Sequence, residues 1–321
     1  MKASVPHNEP QRLSQLRALN IINTPTEERF DRLTRLARRL FDVPIALVSL
    51  VEQDYQWFKS AEGYQEKCSP RNISFCAHTI LQDEVLVVED ALQDARFHNN
   101  PLVLGEPYIR FYAGCPLRSP GGSHVGSLCL IDHQPRSFNA EDRRALCDLA
   151  EMAEAELVAF QAATSDELTQ ITNRRGFMAL GQLVLNDCLL KQRTASLAFL
   201  DLDKFKQIND TLGHREGDRA LMDFADAMKV TFRHSDLFAR LGGDEFVVLF
   251  NGLQPDEAQR QLQAFREYLQ QQIRHLERHY PLDFSSGIVV FDPHHPCPLE
   301  QLLASSDATM YESKKAKKAR K

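Results

Sequence analysis

No run of apolar residues in this sequence approaches the roughly 18–20 that a bilayer-spanning helix needs. The opening stretch, MKASVPHNEPQRL, has no apolar signal core either. Together these absences predict a cytoplasmic protein with no membrane insertion. Basic residues are outnumbered by acidic ones, 38 to 44. The formal net charge of −6 argues against non-specific nucleic-acid binding as the main task, since that work needs a basic surface. The seven cysteines include no CxxC pair, so they read as reduced and mostly buried rather than as a disulfide or zinc framework. No internal repeat is visible. What remains is ordinary for a globular chain, with 43% hydrophobic and 26% charged residues. A length of 321 residues suggests two domains.

The first block extends to about residue 160. TPTEERFDRLTRLARRLF predicts a helix opened by a capping box, with Thr24 as cap, Pro25 in the first turn and Glu27 reaching back. Phe30, Leu33, Ala37 and Leu40 share one face of it. Strand-like runs follow at 45–51, 55–60, 85–90, 110–117 and 126–132, with a short helix over SFCAHTIL (74–81). This pattern predicts an antiparallel sheet with helices packed on one side. The stretch 138–172 reads as one long helix capped by Asn139 and Asp142. Its stripe of Leu146, Leu149, Ala153, Leu157 and Phe160 fits two uses. One is packing on its own domain; the other is pairing with a second copy of the helix to carry a signal.

The second block alternates differently. A strand over 195–203 precedes a helix over 215–232. The hairpin LFARLGGDEFVVLF (237–250), a helix from 255, a strand near 282–291 and a closing helix from 299 follow. The order β-α-β-β-α-β is the ferredoxin-like arrangement, expected to leave one sheet face open.

Such a sheet would bring Asp201, at the end of its first strand, near Asp244 at the hairpin tip. Paired carboxylates repel unless protonated or bridged by a cation. Mg2+ suits oxygen ligands shared with a phosphate chain, and a two-metal form could activate an attacking oxygen. Gly242 and Gly243 allow a phosphate or base to approach bare backbone. In DLDKFKQINDTLGHREGD, Lys204 and Phe205 can offer backbone N–H groups, and Lys206 a charge, to phosphates. Asn209 can read a base edge, and Asp218, four residues after His214, can accept from a guanine-type N–H pair. Lys314 and Lys318 lie on one helical face, a plausible clamp for terminal phosphates.

These stretches carry a resemblance. Residues 166–318 resemble a diguanylate cyclase catalytic domain of the GGDEF family, through DELTQITNRRGF, DLDKFKQINDTLGHREGD, RHSDLFARLGGDEF and SDATMYESK in order and spacing. The resemblance implies a ferredoxin-like, nucleotidyl-cyclase (palm-type) fold that joins two GTP into cyclic di-GMP and releases two pyrophosphates. It implies that Asp201, Asp244 and the Leu202 carbonyl bind Mg2+, or Mn2+. Asn209, His214 and Asp218 would line the guanine pocket, and Asp244 or Glu245 would take the proton of the attacking 3′-hydroxyl. Each domain holds one GTP, so a homodimer is implied. Arg233 and Asp236 match an RxxD product-inhibition site; the simpler alternative is a surface ion pair at a helix end. Departures exist. Lys317-Lys318-Ala319 stands where the family has Gly-Arg-Asn, which loses the arginine fork. Gln170 replaces a usual glycine and Ser286 an aliphatic residue. The alternative to an enzyme is a weak or inactive module that binds GTP or cyclic di-GMP as a receptor.

Residues 10–160 resemble a GAF sensor domain, through PIALVSLVEQDYQWFKS, SFCAHTIL, VVEDALQDARFHNNPLV, IRFYAGCPL and GSLCLIDHQPR. Its ligand is unknown. Cys76 and His78 invite a metal or tetrapyrrole, although buried cysteines usually just pack. Trp57, Phe75, Phe111 and Tyr112 could line a pocket or simply fill the core, and an empty dimer-forming module is the plain alternative. The expected division is 1–138 sensor with N-terminal helices, 139–165 connecting helix and 166–321 cyclase domain.

Overall fold

The computed structural model describes residues 2–233 and 235–319, with side chains through Lys315. It forms two compact units, Met1–Gln161 and Ala162–Lys321. No described helix is long and apolar enough to cross a membrane.

The first unit opens with α1 (Glu9–Ala18) and α2 (Glu28–Leu40), followed by β1 (Ile45–Val51), β2 (Tyr55–Glu62) and β3 (Cys68–Pro70). Then come α3 (Cys76–Thr79), β4 (Leu86–Val88), α4 (Pro101–Leu104), β5 (Phe111–Arg118), β6 (His124–Asp132) and α5 (Ala140–Thr164). The strands form one antiparallel sheet, ordered β3-β2-β1-β6-β5-β4. Strand periodicity divides its two faces. Ala46, Val48 and Leu50 pack in a core with Phe30, Leu33 and Ala37 of α2 and with α5, whereas Ile45, Leu47 and Val51 pack with Phe75, Phe97 and Tyr112.

Two helix readings need correction. α2 starts at Glu28, with Glu27 at the cap and no side-chain cap bond. The reason is Lys59, whose side chain is fully buried. Its ammonium donates to Thr24 Oγ1, Pro25 O and Glu27 Oε1, each at 2.7 Å. A buried cation left unpaired would cost far more than a missing cap. α5 begins as expected: Asn139 N donates to Asp142 Oδ2 at 2.9 Å and Asp142 N to Asn139 Oδ1 at 3.0 Å. It ends at Thr164, however, and does not run to 172. Thr169 N and Oγ1 donate to Asp166 Oδ1 at 2.9 and 2.7 Å, a local turn that competes with helix. The stripe Leu146, Leu149, Ala153, Leu157 and Phe160 is buried in the core of the first unit itself, so this face of α5 packs on its own domain.

The second unit contains β7 (Thr172–Asn173), α6 (Arg174–Leu190), β8 (Ala195–Leu202), α7 (Phe205–Leu212) and α8 (His214–Thr231). It continues with β9 (Leu237–Gly242), β10 (Glu245–Asn251), α9 (Pro255–His275), β11 (Phe284–Phe291) and α10 (Leu299–Ala319). Its sheet order is β11-β8-β10-β9-β7. The first four strands have the ferredoxin-like order; β7 is a short parallel addition at the edge.

Neither face of this sheet is open, contrary to the sequence reading. Ala198 and Leu200 pack with Phe224 of α8 and Phe265 of α9. Leu197 and Phe199, on the opposite face, pack with Phe177 of α6 and with Leu299 and Leu302 of α10. α10 lies so close to β11 that a Cβ added at Gly287 would fall 2.2 Å from Met310 N. The sequence reading passed over α6, though its start carries a signal: the Asn173 side chain accepts from Gly176 N at 2.8 Å.

Gln170 has φ 55°, a left-handed conformation that costs a non-glycine residue about 1–2 kcal/mol. The expected result of Gln170→Gly is therefore a gain of up to about 1 kcal/mol, less any entropic penalty of glycine in the unfolded chain. Denaturant unfolding checks this; a loss of stability would contradict it.

Candidate active site

β8 and β10 are antiparallel neighbours, and their register sets Asp201 opposite Glu245. One residue further, Leu202 N donates to Asp244 O at 3.1 Å. Asp201, Asp244 and Glu245 thus meet at one end of the sheet's central strand pair. The connection between β9 and β10 is Gly243-Asp244. Gly242 (φ 147°) and Gly243 (φ 51°) are both in the region that favours glycine. A Cβ at either would meet nothing within 4 Å, so the space above the turn is open. A bulge adds its own bend here: the β9–β10 register shifts between Glu245 and Phe246.

A clamp fixes this turn, and sequence reasoning missed it. Arg240 Nε and Nη2 donate to Gly243 O at 3.0 and 2.9 Å, while Nη1 reaches Asp166 Oδ1 at 3.1 Å. Burial pushes the Asp166 carboxyl up, but bonds from Thr169 and Arg240 outweigh it and hold the group below its ordinary value. The charge pattern of DELT and ARLGG carries the signal, but 74 residues of separation conceal the pairing.

The electrostatics at the tip are those of crowded carboxylates. Burial raises the Asp201 carboxyl, and the neighbouring Asp244 and Asp203 charges add to it. The ammonium of Lys314, on α10, bonds Asp201 Oδ1 and works the other way. Burial likewise raises Glu245, followed by the charge of Asp307, another α10 residue that sequence reasoning passed over. Mutually raised carboxyls favour any bound cation that relieves their repulsion. Among the described residues, no group of three His, Cys, Asp or Glu side chains forms a ready-made metal cage. Two carboxylates with a backbone carbonyl nevertheless fit Mg2+, which keeps other positions for water and phosphate.

Beyond β8 the chain enters α7 through Lys204 (φ 62°), with no side-chain cap. The N–H groups of the first helical turn, Phe205 and Lys206 among them, have no intrahelical acceptor. The dipole of such a terminus favours negative charge. Asn209 is on α7, and His214 and Asp218 share a face at the exposed start of α8. Gly217 brings the two helices together. A Cβ there would fall 1.9 Å from Asn209 Oδ1, so the bare backbone seats the Asn209 carboxamide beside Asp218. Lys314 is thus tied to Asp201, while the side chain of Lys318 lies outside the described residues.

Arg233 and Asp236 sit at the far end of β9, about 20 Å of strand from the tip. Arg233 Nε donates to Asp236 Oδ2 at 3.0 Å and Nη2 to Asp236 Oδ1 at 2.5 Å. Asp236 is buried and also accepts from Asn251 N at 3.2 Å. The two residues are paired with each other, with Asp236 buried and Arg233 partly exposed.

In the first unit, Phe111 and Tyr112 are successive strand residues and face opposite sides of the sheet. They do not line one pocket. Tyr112 bonds Thr79 Oγ1 at 2.7 Å, and Phe75 stacks on Phe97 at 4.0 Å; Phe111 packs near Phe138. Cys76 Sγ lies 3.8 Å from Cys129 Sγ, while His78 meets the Phe97 ring edge-on.

The second unit is therefore of the ferredoxin-like class, with an acidic hairpin tip beside a bare helix N-terminus. A family model described as diguanylate cyclase, GGDEF domain, matches residues 163–320, and a GAF domain model matches 25–157. The Escherichia coli diguanylate cyclase DgcP is 30% identical over 231 residues, 65% of each chain. A cyclic di-GMP phosphodiesterase of Pseudomonas aeruginosa is 42% identical over 136 residues, 42% of this chain and 23% of that one. The chain thus spans less than two thirds of either relative. Among solved structures, the GGDEF domain of DgcB from Caulobacter crescentus, in complex with c-di-GMP, is 26% identical with a TM-score of 0.43. That match covers 48% of this chain and 89% of the other. The chain carries a GAF domain, residues 25–157, ahead of a GGDEF domain, residues 163–320.

Because the end of the flexible Asn209 side chain is what a Cβ at residue 217 would strike, Gly217→Ala is expected to leave thermal stability unchanged or raised. If Asn209 contacts the base of a bound GTP, displacing the carboxamide should weaken that binding about tenfold, the worth of one good hydrogen bond. Calorimetric titration and a melting curve check the two halves; unchanged affinity would show that Asn209 does not touch the base.

Proposed function

We propose that the protein is a diguanylate cyclase. The observation that carries this reading is the register that sets Asp201 against Glu245 and Asp244, at an open glycine turn beside the N-terminus of α7. In the reaction, the 3′-hydroxyl of one GTP attacks the α-phosphorus of another and pyrophosphate leaves. The same attack with the roles of the two nucleotides exchanged closes the ring and releases the second pyrophosphate.

Asn209 and Asp218, with His214 beside them, hold the guanine. The backbone N–H groups of Phe205 and Lys206, with the Lys204 and Lys206 charges, bind the phosphates. Gly242 and Gly243 let the nucleotide approach the turn. Asp201, Asp244 and the Leu202 carbonyl hold Mg2+, or Mn2+, which supplies charge stabilisation at the phosphoryl oxygens when bound. Asp244 or Glu245 accepts the proton of the 3′-hydroxyl. Lys314 binds the terminal phosphates once it leaves Asp201, and Lys318 is the second proposed contact. Each domain holds one GTP, so two copies must face each other.

The expected outcome is cyclic di-GMP from purified protein, GTP and Mg2+ at concentrations that favour the dimer, after bound product is stripped. Asp244→Ala should lower turnover at least about a hundredfold, the scale of losing one positioned acid–base or metal-binding group. GTP binding without turnover in the native chain would select the receptor reading instead.

Product binding at Arg233 and Asp236 is the regulatory part of this proposal. Arginine suits bidentate phosphate contact, and Arg233 is partly exposed at the surface while Asp236 holds its orientation. Arg233→Ala is expected to relieve inhibition by added cyclic di-GMP with little change in initial velocity. Inhibition at the same product concentration would count against it. The GAF domain is proposed to regulate the cyclase through a ligand still to be identified.

A further inference from the structure

Two cysteines of the first unit, 32 residues apart in sequence, have sulfurs in contact. Cys115 Sγ on β5 and Cys147 Sγ on α5 are 3.3 Å apart. Cys115 belongs to the core, with 7% of its surface exposed, whereas Cys147 is partly exposed on the helix. The fold offers an internal comparison. Cys76 and Cys129 are 3.8 Å apart but both are buried. Cys68, although exposed, has no thiol partner among the described hydrogen bonds.

From this juxtaposition we propose that Cys115 and Cys147 form a peroxide-reactive dithiol, a modification site that ties α5 covalently to the sheet of the GAF domain. The reaction has two steps. The Cys147 thiolate attacks one oxygen of the peroxide, the O–O bond breaks, and hydroxide leaves to take up the proton that Cys147 released. Cys147 becomes a sulfenic acid. The Cys115 sulfur then attacks the Cys147 sulfur. The S–O bond breaks, and the departing hydroxide takes the Cys115 proton as water. Two thiols are oxidised by two electrons in total, and one peroxide is reduced to two waters.

The order of the steps follows from the surroundings. Burial pushes the Cys115 thiol well up, with the Cys147 sulfur and Glu154 adding to it, so Cys115 stays protonated and waits. Cys147, reachable from solvent, meets the oxidant first. The sulfurs need to close from contact to bond length, a movement available to side-chain rotation on a helix packed against the strand.

The test uses the full chain, reduced and then treated with one equivalent of hydrogen peroxide. It reads thiols and not nucleotide turnover, so it stands apart from the cyclase assignment. The expected product is lighter by two hydrogens and yields a tryptic cross-link between peptides 111–118 and 145–174; dithiothreitol reverses both. Cys147→Ser should abolish the cross-link. In Cys115→Ala, dimedone should trap a sulfenic acid on Cys147. The inference is overturned if no thiol is consumed, if Cys147 gains two oxygens without a link, or if the link joins Cys76 to Cys129 instead.

Discussion

The antiparallel pairing of β8 with β10 is the constraint on which the second unit rests. Side chains alternate along each strand, so the register decides both the core and the site. Val248 opposite Ala198 and Phe246 opposite Leu200 face α8 and α9. With those pairs in place, Asp201 is set opposite Glu245 at the strand ends. A slip of one residue would move Phe246 out of its core and separate the acidic groups. The apolar drive that fixes the sheet therefore also holds carboxylates together against their repulsion.

That repulsion is managed by cations drawn from distant segments. Lys314 comes to Asp201 from the closing helix, and Arg240 bridges the turn carbonyl of Gly243 to Asp166. The first unit uses the same logic more completely. Lys59 is enclosed by a hydroxyl, a carbonyl and a carboxylate, with the rings of Phe30 and Phe160 near its ammonium. In both units a charge taken out of water is matched by oxygen atoms, because an unmatched one would be too costly to keep. The difference is access. Lys59 is sealed in, whereas the tip around Asp244 is open and can exchange its protein partners for a ligand.

Much of this was legible in the chain. Short apolar runs marked β1, β5, β6, β8 and β10, and Gly242-Gly243 marked the turn. The Asn139–Asp142 cap located the start of α5. Local bonding rules sufficed for these elements because their partners lie within a few residues. The errors have a common origin in long-range partners. Thr24 and Glu27 have the spacing of a cap, yet Lys59 takes both. The stripe on α5 left two uses open by its spacing, and the sheet of its own domain takes it. The second face of the β8 sheet was expected open because the β-α-β-β-α-β order supplies helices to one face only; α6 and α10 lie outside that order and cover the other face.

The sequence by itself determined the two-domain order, the strand and helix alternation, the glycine turn and the identity of the acidic and amide side chains, since each depends on residue type and short-range spacing. Only the tertiary structure decided which groups meet. It set Glu245 against Asp201, seated Asn209 over Gly217, and brought the Cys147 sulfur to Cys115. Those encounters depend on strand register and helix packing over tens of residues, where shape and burial, rather than local pattern, select the partner.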